Sequence, residues 1–138
     1  KKLVDVTKEC VEIGIQNAKP WHYIGDMSDK MNRHAKANGF SIVEEIGGHG
    51  CGKDFHEDPF VSYVIKPGEG MLMVPGMCFT IEPMINMGGP EVYVDSDNDW
   101  TVYTDDGSPS AQWEVHVHIT EDGCEVLNHF TKDLIVVE

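Results

Sequence analysis

His49 lies inside Gly47-Gly48-His49-Gly50-Cys51-Gly52, a glycine-rich turn in which missing side chains let the backbone pass close to a bound group. An imidazole held there can ligate a metal or move a proton; the alternative is a glycine turn that carries a histidine by chance. Nucleotide-binding loops do not fit. Lys53 is followed by Asp54 where a P-loop needs Ser or Thr, and Pro59 together with the glycines opposes the helix that a dinucleotide fingerprint must open. His56-Glu57 begins like the zinc motif H-E-x-x-H, but Phe60 stands where the second histidine belongs, and Pro59 breaks the helix. His49 and His56 can nevertheless face one cleft. Cys51 beside His49 permits a nucleophilic thiol, without an identifiable group to orient it.

Two carboxylates stand out by their surroundings. Met77 to Ile85 reads as one strand, with Phe79, Ile81, Pro83 and Ile85 on one face and Thr80, Glu82 and Met84 on the other. A glutamate in so apolar a strand is costly unless it coordinates a metal, pairs with a cation or faces water. Ser110 to His118 is the strongest strand signal in the chain. Period two places Gln112, Glu114, His116 and His118 opposite Trp113, Val115 and Val117. An H-x-H on a strand can hold a metal by itself, and Glu114 would complete a carboxylate-imidazole set; the alternative is a solvated polar face at a sheet edge. Asp95-Ser-Asp97-Asn-Asp99 has Trp100 where a calcium loop needs glycine, so it reads as a solvated acidic turn. Met71, Met73, Met77, Met84 and Met87 read as adaptable core filling.

The elements that must position these residues begin with two amphipathic helices. Leu3, Val6, Cys10 and Ile13 form one apolar stripe, and Ile24, Met27, Met31 and Ala35 form the other. Pro20 and Trp21-His22-Tyr23 separate them, and Asn38-Gly39 ends the second. Strands follow from Phe40, largely antiparallel, with Gly47 to about Gly76 as a long irregular stretch of the kind that carries function. The fold class is therefore α+β.

The 138 residues, 41% of them hydrophobic, suffice for one ordinary domain. Ten Lys plus Arg against 24 Asp plus Glu give a formal charge of -14 without a basic stripe, which argues against direct nucleic-acid binding. No apolar run is long enough for a membrane span. Four dispersed cysteines with no C-x-x-C suit a reducing compartment, the cytoplasm. The chain opens on Lys1 in what reads as the middle of a helix, which predicts a fragment of something longer.

Four blocks in order resemble the type I methionine aminopeptidases, over Lys1 to about Asn128. Gly48-His49-Gly50-Cys51-Gly52 with Phe55-His56-Glu57-Asp58-Pro59 is similar to the family's G-H-G-x-G-x-x-F-H-E-x-P. Gly76 to Met84 resembles G-M-x-F-T-I-E-P-M, Trp100-Thr101-Val102 resembles W-T-V, and Ser110 to Glu114 resembles S-A-Q-[YFW]-E. The resemblance implies the pita-bread fold, here a partial domain: residues 1–138 would be the C-terminal portion of a metallo-aminopeptidase catalytic domain, its upstream half missing. It implies removal of N-terminal methionine from nascent polypeptides by a metal-bridging water that attacks the scissile carbonyl. His49, Glu82 and Glu114 would be metal ligands, with Glu114 bridging and Glu82 also shuttling the proton. His56 would contact the peptide as a catalytic and substrate-binding residue, and Phe55 and Trp100 would line the methionine pocket. The implied cofactors are two divalent ions, cobalt, manganese, iron or zinc. The implied partners are peptide N-termini and the ribosome.

Departures from the pattern bear on activity. Two aspartate ligands and a further histidine of the family have no counterpart here; Asp5 and Asp26 fall in the helices, and His116 stands where the family usually has threonine. At most one weakly held metal and little turnover are therefore expected of this chain alone. A pita-bread binding module without catalysis is the alternative in a different class. A proline-directed peptidase of the same fold is another, opposed by Met84 after Glu82-Pro83. A cupin-like site on His116 and His118 is the third.

Overall fold

The structure, a computed structural model, describes residues 1–128. Helix α1 (Lys2–Asn17) buries Leu3, Val6, Cys10, Val11 and Gly14, and α2 (Ile24–Ala37) buries Ile24, Met27, Met31 and Ala35, so both stripes face the core as their spacing predicts. The α2 N-terminus is satisfied by Asp26, whose carboxylate accepts the Tyr23 N–H at 2.8 Å. This use of Asp26 as a cap fits its exclusion from the ligand set. Gly39, at φ 83°, turns the chain out of α2 in the left-handed region that favours glycine.

Among the described residues ten strands follow: β1 (Ser41–Ile42), β2 (Gly48–Gly50), β3 (Glu57–Val61), β4 (Cys78–Ile81), β5 (Met84–Asn86), β6 (Val92–Val94), β7 (Val102–Thr104), β8 (Ser110–Gln112), β9 (Val115–Ile119) and β10 (Cys124–Val126). They form a five-stranded sheet in the order β10-β9-β4-β2-β3, a three-stranded sheet β1-β5-β8 and the hairpin β6-β7. Every pairing is antiparallel. The helices pack on each other; α1 contacts β4, β5 and β8, and α2 contacts β1. Between them lies a core that includes Phe79, Ile81, Ile85, Val115, Val117 and Ile119, each 0% exposed.

Two expectations change in a way that matters for the site. Met77 to Ile85 is two strands in two sheets, broken at Glu82-Pro83, and Ser110 to Thr120 is likewise broken at Trp113-Glu114. Proline has no N–H to give to a ladder, so a central strand cannot continue through Pro83. The partner chain leaves at the same level: Ile81 pairs with Val115 in the larger sheet and Met84 with Gln112 in the smaller. Glu82 and Glu114 therefore sit at facing switch points, where side chains escape the strict alternation that a single strand would impose. The stretch from Gly47 to Gly76 also contains β2 and β3 rather than loop alone. Of the five methionines read as core filling, Met73 is buried, whereas Met71 and Met87 are exposed.

Candidate metal centre

The two switch points and β2 bring three side chains together. One ligand atom each from His49, Glu82 and Glu114 lies within 4.8 Å of the others, the one such group among the described residues. His116 and His118 are not in it. His116 Nε2 is 3.4 Å from Glu114 Oε1, and His118 Nδ1 is 3.8 Å from Glu125 Oε2 on β10, so the H-x-H pair is divided between two carboxylates. That arrangement removes the ground for a cupin-like site.

His49 is held by hydrogen bonds at its backbone and at its ring. Its N–H donates to Thr80 Oγ1 at 2.9 Å. Its Nδ1 is 2.9 Å from the Gly50 carbonyl, an acceptor only, so Nδ1 carries the hydrogen and in the neutral ring Nε2 keeps a lone pair. Nε2 stands 3.4 Å from Glu82 Oε1, with the two side chains only 15% and 12% exposed. An imidazole nitrogen and a carboxylate oxygen this close in so buried a place call for a positive charge between them. A divalent cation coordinated by one imidazole and two carboxylates meets that demand, and a carbonyl-bound second nitrogen is the usual setting of a ligating histidine. The donor set fits a metal.

Glu82 is held at both oxygens. Thr80 Oγ1 donates to Oε1 at 2.6 Å and Gln112 Nε2 donates to Oε2 at 3.1 Å, while the Glu82 N–H donates to the Tyr63 hydroxyl at 2.7 Å. The switch at Glu114 is held by Asn128, whose amide donates to the Glu114 carbonyl at 3.4 Å and accepts the His116 N–H at 2.7 Å. Sequence reading gave no role to Tyr63, Thr80, Gln112 or Asn128. Gln112 and Thr80 share the glutamates' faces by alternation, a usable signal; Tyr63 and Asn128 carry none.

Burial is the main reason that the Glu82 carboxyl is held above the usual carboxylate range. The Glu114 charge adds to it, and the Thr80 hydroxyl and the His49 and His56 rings oppose it. A carboxyl whose folded pKa exceeds its unfolded value binds more protons when folded. With chelator present, its contribution to stability is therefore lost as pH rises from the usual carboxylate range through the raised value, and regained on acidification. Glu82→Gln keeps an acceptor for Thr80 without the charge. We expect melting curves from about pH 4 to 7 to show a smaller pH slope for the variant than for the parent chain; equal slopes would place the linkage on other groups.

His56 is exposed and packs edge-on against His49, ring centroids 4.4 Å apart. Phe55 stands against His56 at 4.5 Å and is 75% exposed. Glu57 accepts the Lys53 and Asp54 N–H groups at 3.2 and 3.3 Å and so shapes the loop that carries both rings. An open cleft of about 640 Å³ connects His56 and Glu82 with Met84 and with Trp100 of the β6-β7 turn. Phe55 is not among its lining residues. Burial first, then Cys78 and the Glu114, Glu82 and Glu57 charges, push the Cys51 thiol up, which counts against the nucleophilic reading.

The profile of metallopeptidase family M24 matches residues 1–121. The chain belongs to this family. Its M24 relatives include methionine aminopeptidase A of Synechocystis, 47% identical over 92% of this chain and 50% of the relative, and methionine aminopeptidase 1 of Bacillus subtilis, 41% identical over 92% and 51%. The crystal structure of methionine aminopeptidase from Thermotoga maritima superposes with a TM-score of 0.85 at 39% identity, over 90% of this chain and 49% of that one. Prolidase from Pyrococcus furiosus, at 22% identity and a TM-score of 0.69, shares the fold, covering 94% of this chain and 32% of that one. The α+β pita-bread reading is borne out, and the chain spans about half the length of the curated relatives it matches. M24 enzymes are metallopeptidases, which accords with the donor set. Among the described residues no helix is long and apolar enough to cross a membrane.

Proposed function

We propose that this chain carries part of the catalytic domain of a methionine aminopeptidase, acting on peptides with an N-terminal methionine. The convergence of His49, Glu82 and Glu114 within 4.8 Å carries the reading. These three would hold a divalent ion, manganese, cobalt, iron or zinc. A complete site would hold two, with Glu114 among the ligands, and this chain alone at most one. Such an ion, when bound, supplies Lewis acidity that polarises a carbonyl and acidifies water. The protein's own residues do the rest. Glu82, with Thr80 and Gln112 fixing its oxygens, would take the proton released in the hydrolysis and return it to the departing amine. His56 at the cleft wall would hydrogen-bond the peptide beside the scissile bond. Trp100 and Phe55 would shelter the methionine side chain from water. Initiator-methionine removal in the cytoplasm, near the ribosome, follows from that substrate.

The test is a calorimetric titration of the chain with manganese. Replacing both His116 and His118 with alanine is expected to leave the affinity within about threefold, because neither residue belongs to the cluster, whereas His49→Ala removes most of it. The reverse result would move the metal to the H-x-H strand. Absence of any divalent binding by the full-length protein would favour the binding-module alternative. Methionine release from a Met-Ala-Ser peptide with added cobalt or manganese then tests the reaction.

A further inference from the structure

We infer that Tyr63 is a positioning residue that sets the distance between His49 and Glu82. The inference deepens the metal reading above and rests on it. Tyr63 lies just after β3 and is 0% exposed. Its hydroxyl accepts the Glu82 N–H at 2.7 Å and packs against Gly48, where a Cβ would stand 3.0 Å from it. One phenol oxygen thus holds the residue at the exit of β4 and abuts the residue before His49 on β2.

The sheet switch explains why this oxygen is needed. The β4 ladder ends at Ile81 opposite Val115, and the β5 ladder begins at Met84 opposite Gln112, so the Glu82 amide belongs to neither. An amide without a partner in a buried place is costly, and a purely hydrophobic core residue at position 63 would leave it so. Because the hydroxyl holds the Glu82 backbone and packs against the residue before His49, its loss releases Glu82 relative to His49 without touching either side chain.

Tyr63→Phe removes that oxygen alone. In the full chain the variant is expected to bind manganese about 10- to 100-fold more weakly, the usual cost of losing an outer-shell partner. Its Glu82 amide should exchange with solvent at least about tenfold faster, while that of Val117 in β9 changes far less. Ile119→Val serves as the control for a merely structural role: it trims the same core, and should lower the melting temperature while leaving manganese affinity unchanged. Parent-like affinity and parent-like Glu82 exchange in Tyr63→Phe would overturn the inference. So would rapid exchange of the Glu82 amide in the parent chain, a measurement that needs no variant. If the parent chain binds no manganese, the metal reading fails on its own. Glu82 exchange and the His49 ring signals in metal-free Tyr63→Phe then decide the matter, and unmoved values overturn the inference.

Discussion

Glu82→Ala lowers the affinity of the chain for manganese by on the order of a hundredfold or more, read by titration calorimetry at neutral pH. The magnitude follows from what the substitution removes. Glu82 contributes the more buried of the two carboxylates, 12% exposed against 45% for Glu114, so a cation beside it gives up more water and depends more on protein donors. The loss also extends beyond one oxygen. Thr80, now without its acceptor at 2.6 Å, is free to turn its hydroxyl toward the His49 carbonyl at 3.5 Å, and Gln112 loses its Oε2 contact while keeping the Glu82 carbonyl at 3.3 Å. Glu114→Ala should cost less in the isolated chain, because Glu114 is half exposed and shared with His116. Equal losses for the two variants, or retention of binding by Glu82→Ala, would mean that the cation sits on the solvent side of the cluster, nearer Glu114 and His116.

The same contrast shows what the amino-acid sequence discloses and what it withholds. His49, Glu82 and Glu114 are legible because of their local context: an imidazole among glycines, a carboxylate in an otherwise apolar strand, and a carboxylate two residues before an imidazole on the polar face of another. The two helices are legible because a stripe of apolar residues at helical spacing has one face to bury, and both stripes do so. The division of the strands is harder to see, since hydrophobic alternation runs unbroken through Pro83 and through Trp113. Pro83 was the usable warning, because a proline within a central strand speaks against its continuation. What no pattern could supply is the identity of the supporting groups. Tyr63 reaches Glu82 across 19 positions of chain, and Asn128 reaches His116 across 12, through contacts that exist only after the sheets have formed. The cleft residues fall between these cases: Trp100 lines the cleft, and Phe55, beside His56 on the Glu57-capped loop, is not among its lining residues.

Gly50→Ala destabilises the chain by about 3 kcal/mol or more, a fall of roughly 10 °C in melting temperature. Strand β2 is the middle of a squeeze, with β3 on one side and β4 on the other. A Cβ on Gly50 would stand 2.0 Å from the Asp58 carbonyl oxygen and 2.5 Å from its carbon, both backbone atoms of β3 that no rotamer change can move. Relief requires β2 and β3 to part, and Gly50 also pairs with Phe79 of β4, whose side chain is 0% exposed in the core. The displacement falls on His49, the next residue, so manganese affinity should fall together with stability. Gly123→Ala separates this effect from a general intolerance of alanine for glycine: a Cβ there meets nothing within 4 Å, and the expected change is within about 0.5 kcal/mol. If Gly50→Ala melts within a degree or two of the parent while Gly123→Ala does not, close backbone approach is not the reason for glycine at position 50, and the glycines around His49 must instead be read as freedom for the chain to move.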